Sequence, residues 1–214
     1  MTDEKINVKV FFPFGPAIAK TKIPNEILIK LNEYFEKTIH DKQKIKEFDH
    51  GKYLAGDVSK EIRIHHQYSE ECGWLDFLAN LTKIYIKVSA QKEITKFSLV
   101  SSWIVSQFKH EYNPTHWHGG HISGAGFLKI PDTMGSGYQN KNHHNGNGNL
   151  QLIHGSRQFL SNSLFTIQPQ VGDFYLFPNY LMHTVFPFRE TNQERRSVSF
   201  NAIIDDNIHN VYGA

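Results

Sequence analysis

The stretch PTHWHGGHISGAGFLKIP, residues 114–131, sets three histidines and a glycine pair at the head of an apolar, strand-like run. Side chains two apart on a strand share a face, so His116 and His118 are expected to point the same way. Their Cβ atoms would stand roughly 6.6 Å apart, from which two imidazoles can converge on one metal ion. Trp117 is then expected on the opposite face, in a packing layer. Gly119-Gly120 breaks regular pairing and leaves the direction of His121 open, so His121 is a reserve candidate.

Outward from this stretch the pattern stays β. KFSLVSSWIVSQF (96–108), FTIQP (165–169), GDFYLFP (172–178), LMHTVFPF (181–188) and RRSVSFNAII (195–204) are short, rich in Val, Ile, Phe and Tyr, and parted by Gly, Pro and Asn. Such spacing predicts a mainly β sandwich or jelly roll with flanking helices. Upstream, PNEILIKLNEYFEKTIHD (24–41) places Ile27, Leu28, Leu31, Tyr34, Phe35 and Ile39 at helical spacing, behind a Pro suited to a first turn. SEECGWLDFLANLTKIYIKVSAQ (69–91) carries a second stripe through Leu75, Phe77, Leu78, Leu81, Ile84 and Tyr85, and both stripes read as core packing. The segment 135–149 is poor in apolar residues and reads as a loop, with His143 and His144 exposed in it. No repeat or linker divides the chain. We expect one domain over 1–214, with a helix-containing part about 1–95 and a jelly-roll core about 96–205.

Bulk properties narrow the function. A net charge of +2 among 21% charged residues gives no dense basic patch, so nucleic acid is not an expected partner. Cys72 is the only cysteine, which excludes an intramolecular disulfide and suits a reducing compartment. MTDEKINVKV lacks an apolar signal core, and no run is long enough to span a bilayer. An intracellular protein without membrane partners is the expectation.

A third histidine, His183, sits in an apolar strand after a Gly-Asp turn and a Pro. Beyond a polar turn follows ERRSVSFN, expected to close a hairpin with it. In that last strand Arg195, Ser197, Ser199 and Asn201 share one face at period two, and Arg196, Val198 and Phe200 share the other. An Arg, two hydroxyls and an amide turned to one side suit a pocket that holds an anion, because the guanidinium is a planar, permanent fork for a carboxylate. A solvated outer face is the competing reading of this strand.

The order H-x-H, a long gap, H, then R-x-S resembles the Fe(II)/2-oxoglutarate-dependent oxygenase superfamily, with its double-stranded β-helix. PTHWHGGHISGAGFLKIP, GDFYLFPNYLMHTVFPF and ERRSVSFN are more closely similar to a family of 2-oxoglutarate oxygenases of bacteria and their viruses, related to prolyl 4-hydroxylases. FFPFGPAIAK (11–20) and YLAGDVSKEI (53–62) are similar to that family's opening, so the resemblance covers most of the chain. It implies a cupin-like jelly roll and a dioxygenase, a hydroxylase by analogy, that couples decarboxylation of 2-oxoglutarate to oxidation of a small molecule or peptide by O2. The same resemblance admits a virus-encoded chain. His116 matches the first Fe(II) ligand and His183 the distal one, while Arg195 with Ser197 matches the site for the far carboxylate of 2-oxoglutarate.

His118 departs from the pattern, since a carboxylate normally stands there. Three readings follow: a third metal ligand, a neighbour of the site beside a position filled by water or halide, or one of three histidines on Zn²⁺. A cupin-like metal hydrolase or isomerase, and a non-enzymatic jelly-roll binding module, are the alternative functions. Neither needs a cation on the strand after His183. Trp103, Gln107, Tyr112 and the loop 132–149 are candidates to line the substrate site.

Overall fold

The computed structural model describes residues 7–11, 13, 15–136 and 146–209. His143 and His144 lie outside the described residues, as do Phe12 and Phe14.

The alternating runs pair into two antiparallel sheets. The larger holds, in spatial order, β1 (Lys9–Phe11), β2 (Ile18–Lys22), β9 (Asp173–Pro178), β6 (Ile122–Lys129), β11 (Arg195–Ile204), β4 (Phe97–Gln107) and β3 (Lys60–Arg63). The smaller holds β5 (Asn113–His116), β10 (Met182–Val185), β7 (Leu150–Ile153) and β8 (Leu164–Ile167). This is the double-stranded β-helix expected from the sequence, and three of the larger sheet's strands come from the helix-containing part of the chain.

Period two decides what each face of the larger sheet meets. Val198, Phe200 and Ala202 join Phe174 and Leu176 in a core shared with the helices. The opposite face sends Phe127, Tyr175, Phe177 and Ile18 against Leu150, Leu152 and Ile167 of the smaller sheet, making a second core between the sheets. Both faces of β11 are therefore buried, and the solvated-face reading of that strand fails. Gly124 is needed where β6 passes under aromatic rings: a Cβ there would stand 2.7 Å from the Phe200 ring and 2.7 Å from the Tyr175 carbonyl oxygen.

Four helices cover the outer face. α1 (Asn25–Ile39) follows Pro24 and buries Ile27, Leu31, Phe35 and Thr38. α2 (Lys42–Phe48), not foreseen from periodicity, starts at Asp41, whose carboxylate accepts from the Gln43 and Lys44 amides. The single helical stretch expected over 69–91 is two helices, α3 (His66–Glu71) and α4 (Trp74–Ala90). They part at Gly73, which takes a left-handed φ of 82° that a side chain would resist. A short α5 (Asp206–His209) closes the described chain. Among the described residues no helix is long and apolar enough to cross a membrane.

Candidate active site

His116 ends β5 and stands directly opposite His183 on β10, so the antiparallel ladder itself brings the two rings to 4.3 Å between centroids. His118 lies past the strand end, where backbone pairing holds it. Its amide donates to the Asn179 carbonyl, and the Asn179 side-chain amide donates to the His118 carbonyl, both at 3.0 Å. The His118 ring comes to rest 5.1 Å from that of His116 and 4.7 Å from that of His183. One nitrogen of each ring lies within 4.8 Å of the others.

The surroundings fix which nitrogens face inward. Nδ1 of His116 donates to the Pro114 carbonyl at 2.7 Å, and Nδ1 of His183 to the Leu181 carbonyl at 2.9 Å. A carbonyl only accepts, so both Nδ1 atoms carry the proton and both Nε2 atoms present a lone pair. His116 Nε2 is 3.1 Å from His118 Nε2. Two lone pairs do not sit that close unless a proton or a cation lies between them. Burial holds the His183 ring down to about 3 and the His118 ring down to about 4, and lowers His116 as well, so all three are neutral at pH 7. Three neutral imidazoles converging on one point, with His118 Nδ1 buried and lacking a hydrogen-bond partner, fit a divalent metal.

Arg195 enters the same cavity from the other sheet. β10 and β11 do not form the expected hairpin; they belong to different sheets, which is why Arg195 faces the histidines across the sandwich. Its guanidinium is fully buried. Nη1 donates to Gln107 Oε1 at 3.1 Å and Ser197 Oγ at 3.4 Å, while Nε has no partner. Among the described residues no carboxylate pairs with it, and desolvation lowers its pKa from 12.5 to about 10. Arg196, on the other face, is saturated: it meets Glu194 and Glu36 at 2.6 Å, donates to Asn32, and lies 4.1 Å over Phe35. One arginine is built into the fold, and its neighbour is left wanting an anion.

The remaining expectations divide. Ser197, Ser199 and Trp103 line the cavity. Gln107 positions Arg195, whereas Tyr112 is partly exposed and pairs through its backbone with Asp57. Trp117 is 67% exposed and not in a packing layer, because β5 ends one residue before it and strand alternation no longer applies. His121 stands apart from the three rings: its Nδ1 accepts from the Ile204 amide at 3.2 Å, and its Nε2 is 3.9 Å from Asp206. Sequence reasoning missed Glu61. This residue of β3 is 2% exposed and lines the same cavity, with Oε1 unpartnered. Its strand is four residues long, too short for an alternation to register. The cavity's free volume is about 30 Å³, room for a few waters at most.

Residues 101–201 match the family model described as "Putative 2OG-Fe(II) oxygenase". No curated protein sequence matches the chain. Among solved structures, the chain is similar to a Pseudomonas putida prolyl-4-hydroxylase, with 13% identity, a TM-score of 0.53, and 87% of this chain and 91% of that one covered. It is also similar to a viral collagen prolyl hydroxylase of Paramecium Bursaria Chlorella virus-1 (12%, 0.51, 86% and 94%). HygX of Streptomyces hygroscopicus, solved with nickel, 2-oxoglutarate and hygromycin B bound, gives 11% and 0.54, covering 86% and 82%. At these identities the likeness concerns the fold.

Proposed function

Because residues 101–201 match the 2OG-Fe(II) oxygenase family model, we propose that the protein is an Fe(II)- and 2-oxoglutarate-dependent dioxygenase acting as a hydroxylase. In this reading His116, His118 and His183 hold the iron, and Arg195 with Ser197 receives the far carboxylate of 2-oxoglutarate. The observation that carries it is Arg195: a buried cation without an anion, in one cavity with three neutral imidazoles. A buried charge is normally paired. A cupin-like hydrolase would have no use for such a cation opposite its metal.

Bound iron with 2-oxoglutarate supplies the means to reduce O2 and oxidise a C–H bond. The chain's own residues bind, orient and exclude water. The carbonyls of Pro114 and Leu181 hold two rings with Nε2 inward. Gln107 fixes one end of the guanidinium, and Phe127 lies 5.2 Å beneath it, so the cosubstrate's charge is met in a dry setting.

The substrate follows by analogy alone. Two of the similar folds are named as prolyl hydroxylases and a third was solved with hygromycin B, so a prolyl peptide is our first candidate and a small molecule the second. The test of the reaction class is spectroscopic. Anaerobic protein loaded with Fe(II) should develop a weak visible charge-transfer band when 2-oxoglutarate is added. Iron-containing protein that shows no band refutes the reading, and a purified protein carrying only zinc would favour the three-histidine zinc alternative.

A further inference from the structure

The usual oxygenase site sets one carboxylate beside two histidines. Here the donor set is three neutral rings, so a divalent ion would keep its full double charge inside a buried cavity that already holds the Arg195 cation. Glu61 is the acid in that cavity. It faces Val105 across the β3–β4 ladder, and Val105 faces Ser197 on β11, so the three side chains form one row on the cavity face.

Among the described residues, Glu61 Oε1 is buried with no hydrogen-bond partner. A Cβ at Gly56 would stand 2.7 Å from Glu61 Oε1 and 2.9 Å from Asn113 Oδ1. One at Gly51 would stand 3.5 Å from Glu61 Oε2 and 3.4 Å from Asp49 Oδ1. The two glycines thus let the Glu61 carboxyl pack close to the backbone, near the side chains of Asn113 and Asp49. The other ionisable groups that the packed elements bring around this cavity are Asp49, His50, His116, His118, His183 and Arg195; Lys60 and Arg63 of the same strand are exposed. Glu61 is not among the groups close enough to ligate with the three rings.

Resting on the metal assignment above, we propose that Glu61 is the counter-charge of the metal centre: it supplies across the cavity the single negative charge that the three-histidine set lacks, and releases its proton to solvent when the metal enters. The charges then close. A doubly positive ion and Arg195 are met by doubly negative 2-oxoglutarate and singly negative Glu61, leaving the loaded cavity neutral. Without the metal the acid is held protonated, chiefly by burial and secondarily by Asp49, which raise its pKa to about 8.

The experiment titrates untagged metal-free protein with cobalt(II), by calorimetry in buffers of differing ionisation enthalpy and by the visible bands of histidine-bound cobalt. At pH 7, wild type should release about 0.9 of a proton more per cobalt than Glu61→Gln, as expected for an acid that ionises near 8 and is fully charged once the metal is bound. Any proton from the histidines is common to both proteins and cancels. Glu61→Gln should bind cobalt more weakly by at least about tenfold at pH 9, with little difference at pH 6, and Glu61→Asp should restore release. In wild type alone the release should fade above pH 9, which tests the idea even if the Gln variant does not fold. Equal release and equal affinity in wild type and Glu61→Gln, with cobalt bound normally, overturn the counter-charge and leave the metal assignment standing. Failure of wild type to show histidine-bound cobalt overturns both.

Discussion

Replacing Arg195 by Met separates a binding role from a structural one. The wild-type guanidinium is fully buried, and its lowered pKa, about 10 against 12.5, corresponds to about 3 kcal/mol of disfavoured charge in the absence of an anion. Met removes that charge and leaves Gln107 Oε1, which accepted from Nη1 at 3.1 Å, without its donor; this costs about 1–3 kcal/mol. The two effects nearly cancel, so the variant should denature in urea within about 2 kcal/mol of wild type. Binding of 2-oxoglutarate should not survive so well. A carboxylate buried without its cation costs about 2–5 kcal/mol, or roughly 30- to 5,000-fold in affinity. Calorimetry of 2-oxoglutarate with zinc-loaded protein reads the second quantity. Arg196→Ala is the control: it should keep cosubstrate affinity but lose stability, because Glu194 and Glu36 are left facing an empty site. If Arg195→Met binds 2-oxoglutarate within threefold of wild type, or unfolds more than about 4 kcal/mol too easily, the anchor assignment is wrong.

Other perturbations bear on neighbouring features. His118→Ala should lower metal affinity by one ligand's worth and abolish turnover. His121→Ala should keep its metal and lose only about 1 kcal/mol from the Ile204 amide bond; metal analysis and denaturation compare the two. Gly124→Ala should destabilise by about 1–3 kcal/mol in urea, since the Tyr175 carbonyl it would crowd is backbone and cannot rotate away. For metal-free protein, Glu61 ionises near 8 when folded and near 4.5 when unfolded. The unfolded chain therefore loses this proton first, and the stability it confers is complete below pH 4.5 and lost as pH rises through 8. Melting temperature should fall over that window, and Glu61→Gln should flatten the fall; parallel curves would refute the burial argument.

What could be read in advance followed from local geometry. Period two placed Arg195, Ser197 and Ser199 together because all three belong to one long, regularly paired strand, and their shared face is the cavity face. The same rule failed one residue beyond β5: Trp117 turned to solvent, and His118 reached the other rings through its pairing with Asn179 rather than through strand alternation. Helical stripes located α1 and α4, yet the break at Gly73 was hidden because apolar spacing continues across it. Glu61 was beyond local reasoning, and Gln107, expected only to line the substrate site, takes its role from Arg195, 88 residues away on another strand.

The three rings belong to the smaller sheet and its connections, and the arginine to the larger. A metal alone would brace one leaf of the sandwich, whereas a diacid gripped at both ends would act as a tie-bar between the leaves. Slow breathing of the sandwich, seen as amide hydrogen exchange along β10 and β11, should then respond little to the ion and strongly to the second arrival. On that view the order of loading is written into mechanics: the ion seats on one leaf, and the cosubstrate then ties that leaf to the other.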